Sequence, residues 1–142
     1  MIQQISVFLE NKPGGLKKII AILKMHSINI RATVIHDRGD FGIVQFLVSD
    51  PVKAQWSLSE AGLAAAIKPV IAVIINDEPG SLLGITELLD INHINVKDAY
   101  GFVLEQRKKA VFCIEVEKPE ETEEFLKTNG INMLTPEELY EF

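Results

Sequence analysis

Two short loops carry the residue types best suited to holding a small polar molecule, Asn11-Lys12-Pro13-Gly14-Gly15-Leu16 and Asp77-Glu78-Pro79-Gly80-Ser81-Leu82. In each, a Pro-Gly turn opens a helical pattern, so the first helical turn offers a carboxylate unpaired backbone N–H groups and the positive end of the helix dipole. The glycines permit close approach to the backbone. The side-chain oxygen of Asn11 or Asp77 can accept hydrogen bonds from an ammonium group. Taken alone, either loop also reads as a plain turn that starts a helix.

The other reactive side chains form no comparable set. His26, His36 and His93 lack acidic or cysteine partners at ligand spacing and read as surface or loop histidines. Cys113 lies mid-strand and reads as packing, and Trp56 reads as a core or interface residue of a helix. Asp40-Phe41-Gly42 has the letters of the kinase metal-binding triplet, but the chain has neither the room nor the phosphate loop of a kinase. Glu120, Glu121, Glu123 and Glu124 lie on one solvated helix rather than in a cleft. The expectation is a protein that is not an enzyme, with no catalytic residue, no metal and no cofactor.

Composition sets the class. With 47% apolar and 24% charged residues, the 142-residue chain can build a packed core. Its net charge of −6 argues against nucleic acid as a partner. Residues 1–68 carry 8 Lys and Arg against 5 Asp and Glu, and residues 69–142 carry 6 against 15. No apolar run reaches the roughly eighteen residues that cross a bilayer, and Met1-Ile2-Gln3-Gln4 lacks a signal-peptide start. A cytoplasmic protein without a membrane partner is expected, and its single cysteine excludes an intrachain disulfide.

A repeat positions the two loops. Shifting the chain by 66 residues lays Asn11 on Asp77, Pro13-Gly14 on Pro79-Gly80, and Ile28-Asn29-Ile30 on Ile94-Asn95-Val96. Each copy reads as strand, helix, strand, strand, helix, strand. The first strands are 5–9 and 71–75, followed by helices with Leu16, Ile19, Ile20 and Leu23, or Leu82, Ile85, Leu88 and Leu89, at core spacing. Hairpins 29–35 with 41–48 and 95–103 with 110–116 come next, the second two residues longer, most simply in the turn before Ala110.

Asp50-Pro51 and Lys118-Pro119 open the second helices, which Gly62 and Gly130 end. Short fourth strands fall at 63–67 and 131–134, and Thr135-Pro136-Glu137-Glu138 has the spacing of a capping box. The fold class is α+β, two tandem ferredoxin-like βαββαβ units with antiparallel sheets and helices on one face. Alternation turns Val44, Phe46, Val48, Phe112, Ile114 and Val116 toward the helices. Ile43, Gln45, Leu47, Val111, Cys113 and Glu115 then face an open side suited to a partner.

These elements resemble the ACT domain family, and in particular proteins consisting of two such domains. The resemblance spans nearly the whole chain. It rests on Phe8-Leu9-Glu10-Asn11-Lys12-Pro13-Gly14-Gly15-Leu16, on Ile28-Asn29-Ile30-Arg31-Ala32, on Asp40-Phe41-Gly42-Ile43, and on the second-copy echoes of the first two. It implies an ACT-like domain at 1–68 and another at 69–142, and a regulatory protein whose small-molecule effector, an amino acid, sits between paired units. The site it implies joins the loop of one unit, Asn11, Pro13, Gly14, Gly15 and Leu16 or Asp77, Gly80, Ser81 and Leu82, to the second strand of its partner, at Asn29 and Ile30 or Asn95 and Val96. Asn29 and Asn95 read otherwise as strand starts. A homodimer is expected, and the alternative function is an assembly module whose ligand site has decayed.

Overall fold

The structure is a computed structural model that describes residues 1–105 and 108–140, Glu105 by its backbone alone. Its elements run β1 (Ile2–Glu10), α1 (Gly15–Met25), β2 (Ile30–Asp37), β3 (Phe41–Val48), α2 (Pro51–Glu60), β4 (Ala64–Asn76), α3 (Ser81–Ile91), β5 (Val96–Glu105), β6 (Lys109–Val116), α4 (Pro119–Thr128) and α5 (Pro136–Leu139). The chain divides into two compact units, Gln3–Lys68 and a second that joins Met1–Ile2 to Pro69–Phe142. The boundary falls inside β4. Of the turn expected to hold the two extra residues, Gln106 and Arg107 lie outside the described residues.

In the Gln3–Lys68 unit the strands lie in the order β2-β3-β1-β4. β1 and β3 are antiparallel with Phe8 opposite Ile43, and β2 and β3 are antiparallel with Val34 opposite Gln45. Ile5 and Val7 of β1 and Val44, Phe46 and Val48 of β3 form one core with Ile19, Ile22 and Leu23 of α1 and Ala54 and Leu58 of α2. The spacing on α1 explains which residues enter it. Positions 19, 22 and 23 share a face, whereas Ile20 lies about 100° around the helix from Ile19 and stays 40% exposed, against expectation.

The second unit repeats the plan with the order β4-β6-β5, both pairs antiparallel. Ile71, Val73, Ile114 and Val116 pack with Ile85, Leu89 and Leu126, and Phe112 and Leu88 join them partly buried. Leu82, expected in this core, is 47% exposed, for although it shares the face of Ile85 and Leu89 it stands in the first turn, at the very start of α3. Helix limits follow their local chemistry. The Asp50 side chain accepts from the Lys53 N–H at 3.0 Å, α4 has no capping side chain, and both bonds of the Thr135–Glu138 capping box are present.

Two expectations need correction. The fourth strand at 63–67 is not separate, because it runs on through residues 71–75 as the thirteen-residue β4. Lys68-Pro69-Val70 contains no glycine, asparagine or aspartate to turn the chain, and proline accepts extended backbone. Its counterpart at 131–134 shrinks to a bridge between Val73 and Met133, flanked by bonds from Ile74 N–H to Asn132 O and from Leu134 N–H to Ala72 O. The sheet face opposite the helices is not bare either. Leu47, Val111 and Cys113 are buried, as apolar side chains tend to be, and so is Gln45, whose Oε1 lies 2.9 Å from His36 Nε2. No helix among the described residues is long and apolar enough to cross a membrane.

Phe46 is fully buried, so Phe46→Ala is expected to destabilise its unit by about 3–5 kcal/mol in urea denaturation. Ile20→Ala on the exposed side of α1 is expected to cost less than about 1 kcal/mol.

Candidate functional site

The loop between β1 and α1 is shaped by Gly14, the N-cap of α1, which sits at φ 90°, a left-handed conformation that glycine adopts without strain. A glycine N-cap has no side chain to offer, and α1 starts without a side-chain cap bond. The loop is held from the other side. Asn11 N–H donates to Asp40 O at 3.1 Å, and Asn11 Nδ2 donates to Asp37 Oδ1 at 3.0 Å and to Gly39 O at 2.8 Å. Two acceptors on one side fix the orientation of the amide and leave Oδ1 as its remaining polar atom. Gly15 packs so closely on β1 that a Cβ there would meet Leu9 Cδ1 at 2.7 Å and Glu10 O at 3.3 Å.

The loop between β4 and α3 keeps part of this arrangement. Gly80 is again a left-handed N-cap, at φ 92° and without a side-chain cap, and Asp77 N–H donates to Lys108 O at 2.9 Å. The carboxylate of Asp77 is exposed and does not cap α3. Ser81 and Leu82 open the helix where the first copy has Gly15 and Leu16.

Asn29, Ile30, Asn95 and Val96 stand elsewhere. They follow α1 and α3, each of 11 residues, which at about 1.5 Å per residue places them some 16 Å from the loop of their own unit. Asn29 N–H donates to Ser49 Oγ at 2.9 Å, and the Ser49 N–H returns a bond to Asn29 O at 2.9 Å. Asn29 and Ile30 line a shallow hollow of about 340 Å³ with Lys24, and Asn95 lines one of about 410 Å³ with His93, Lys97 and Lys118. Within a unit the two halves of the expected site do not meet.

Several residues beside the first loop carry no motif. A cavity of about 400 Å³ opens next to the start of α1, lined by Leu9, Glu10, Lys12, Gly15, Lys18 and Leu63. Glu10 and Lys12 pair at 2.9 Å, which holds the Glu10 carboxyl below its usual range and the Lys12 amine above its own. The alternation of charge around Asn11 in Glu10-Asn11-Lys12 is the one sequence signal that marks this rim. The Leu63 wall arrives from the end of α2, about fifty residues away, and no local pattern announces it.

Cys113 is a free cysteine buried in the sheet. Burial pushes its thiol up to about 12, only partly offset by the hydrogen bond with Tyr100 opposite it on β5, and burial with the Cys113 contact raises the Tyr100 phenol as well. Among the described residues no group of three or more His, Cys, Asp or Glu is placed to hold a metal ion.

With fold and loops in view, comparison with known proteins is decisive at the level of family. The chain matches the family described as an ACT domain pair over residues 1–142, and it belongs to that family. A protein of known structure from Bacteroides thetaiotaomicron is 30% identical, with a TM-score of 0.92 over 99% of this chain and 96% of its own. The ligand-free regulatory subunit of aspartate kinase from Thermus thermophilus shares the fold at 16% identity, with a TM-score of 0.64 over 89% of this chain and 91% of that one. None of the curated proteins matches the chain.

The raised Cys113 and Tyr100 values set a pH dependence. Both groups stay protonated in the folded state above the pH, about 8.5 and 10, at which they ionise when unfolded, so the unfolded chain binds fewer protons there. Stability is expected to be unaffected by these groups below about pH 8 and to fall as pH rises toward 12. Urea midpoints at pH 7, 9 and 10.5 check this, and native Cys113 should resist iodoacetamide at pH 8 while the urea-unfolded chain reacts.

Proposed function

We propose that this ACT domain pair, with one domain in residues 1–68 and one in 69–142, is a non-catalytic regulatory protein that binds an amino-acid effector. The observation that carries the reading is the shared geometry of two helix starts. Gly14 and Gly80 leave the first turns of α1 and α3 without a side-chain cap, so each presents N–H groups to a carboxylate. Asn11 adds an acceptor whose direction is set by its own two bonds, and Asp77 an unshielded carboxylate for an ammonium group.

The remaining candidates, Pro13, Gly15, Leu16, Ser81 and Leu82, belong to these loops and to the helix starts that follow them. Because Asn29, Ile30, Asn95 and Val96 lie a helix length from the loop of their own unit, they act in this reading from another unit. A homodimer is the simplest source of extra units, in a cytoplasmic setting.

A thermal-shift series with the twenty amino acids tests the proposal. An effector at 100 times its Kd adds about 2.7 kcal/mol, a rise of roughly 5 to 11 °C for a chain of this size. Asn11→Asp, titrated by calorimetry with that effector, is expected to weaken binding at the first loop, because a carboxylate there meets that of the effector. A flat series with all twenty would leave the ACT pair as an assembly module without an effector.

A further inference from the structure

The cavity beside α1 does not end at its charged rim. A second hollow of about 390 Å³ adjoins it and shares Phe8, Leu63 and Ala64 as lining. It continues over the sheet between Ser6, Ile43 and Ala66. Phe8 stands where the two meet, 48% exposed, stacked on Phe41 with ring centroids 4.8 Å apart and directly opposite Ile43 on β3. A charged end thus opens into an apolar trough, and both belong to one unit.

The two ends differ in chemistry. At the rim stand one carboxylate, Glu10, and two ammonium groups, Lys12 and Lys18, beside the uncapped first turn of α1. Glu10 and Lys12 pair with each other at 2.9 Å on an exposed rim, and a zwitterion complements that pair by partner exchange, its carboxylate going to the lysines and the helix start and its ammonium to Glu10. The trough past Phe8 offers only aromatic and aliphatic surface and the Ser6 and Ser59 hydroxyls. A charged side chain placed there would lose water without gaining a partner.

The second copy cannot repeat this. Shifting by 66 puts Asn76, Glu78 and Gly84 where Glu10, Lys12 and Lys18 stand, so a neutral amide, bonded to Lys109 Nζ at 2.7 Å, replaces the rim carboxylate. Both lysines of the rim are gone and the carboxylate has moved.

We infer that the first unit selects an amino acid with a large apolar side chain, held at the Glu10, Lys12 and Lys18 rim with its side chain in the trough past Phe8, at one molecule per chain. This rests on the reading that the α1 loop binds an amino-acid effector. Calorimetric titration of the full chain with L-leucine, L-phenylalanine, L-alanine, L-aspartate and L-lysine tests it. Leucine or phenylalanine is expected to bind at least tenfold tighter than the other three.

Lys18→Ala should weaken every amino acid that binds, because it removes a rim charge. Ala66→Trp, a change at an exposed strand position, should weaken leucine or phenylalanine about tenfold and leave alanine unchanged, because it fills the trough and not the rim. Tighter binding of aspartate, lysine or alanine, with Ala66→Trp silent, overturns the inferred selectivity while the effector reading stands. Binding by none of the five, with a flat thermal-shift series, overturns both. A stoichiometry of two with equal affinities overturns the assignment to the first unit.

Discussion

A helix that leaves a strand through a left-handed glycine has no side chain at its N-cap, and both loops of this chain are built on that constraint. Gly14 and Gly80, at φ 90° and 92°, turn the backbone sharply enough to lay α1 and α3 against their sheets. The Gly15 and Ser81 N–H groups turn back to Lys12 O at 3.3 Å and Glu78 O at 3.4 Å, and the next N–H groups of each first turn are left to solvent or to a ligand. Because the helix side of the loop supplies no anchor, the anchor comes from the neighbouring hairpin. In the first unit it is the amide of Asn11, bonded to Asp37 and Gly39, while the Gly39 N–H itself donates to Asp37 Oδ1 at 2.8 Å. A small closed network positions the loop without touching the helix start, which stays open to a ligand.

The sequence revealed most where chemistry is local. Asp50, Thr135 and Glu138 announce their caps because a side chain bonds a backbone N–H three residues away, and the paired Pro-Gly turns announce the helices because few residues tolerate that backbone. Ile20 misled because apolar type alone does not fix a helical face, and a shift of one residue turns the side chain by about 100°, whereas Leu82 has the right spacing but stands in the first turn of its helix. The length of β4 was hidden by a negative signal, the lack of any turn residue at Lys68-Pro69-Val70. Burial of Leu47 and Cys113 on the face opposite the helices depends on packing between distant segments, which alternation along one strand does not encode.

For the site the same division holds. The glycines and Asn11 could be found from spacing, but the direction of Asn11 depends on Asp37 and Gly39, 26 and 28 residues further on. The cavity depends on more remote residues still. Its walls combine the end of β1, the first turns of α1 and the segment after Gly62, which only the fold brings together. Asn29 and Asn95 show the converse, since the repeat marks them as clearly as the loops while the length of one helix keeps them away from the loop of their own unit.

The duplication has diverged where a ligand would feel it most. The backbone turn is kept, as the two glycine φ values show, and so is the bond that ties each loop to its hairpin, from Asn11 N–H to Asp40 O and from Asp77 N–H to Lys108 O. What changes is the charge and space around the turn. Gly15 sits where a Cβ would press on Leu9 Cδ1 at 2.7 Å, yet Ser81 carries a Cβ at the matching position, so the second helix start must clear its strand differently. Asn11 becomes Asp77, Lys12 becomes Glu78 and Lys18 becomes Gly84, which takes the formal charge at these three positions from +2 to −2. Such a loop attracts cations and repels carboxylates, by about 1 kcal/mol at 4 Å in water and by more where solvent is excluded. Two copies that share a fold but not a field can answer one effector at one loop and leave the other for a different task.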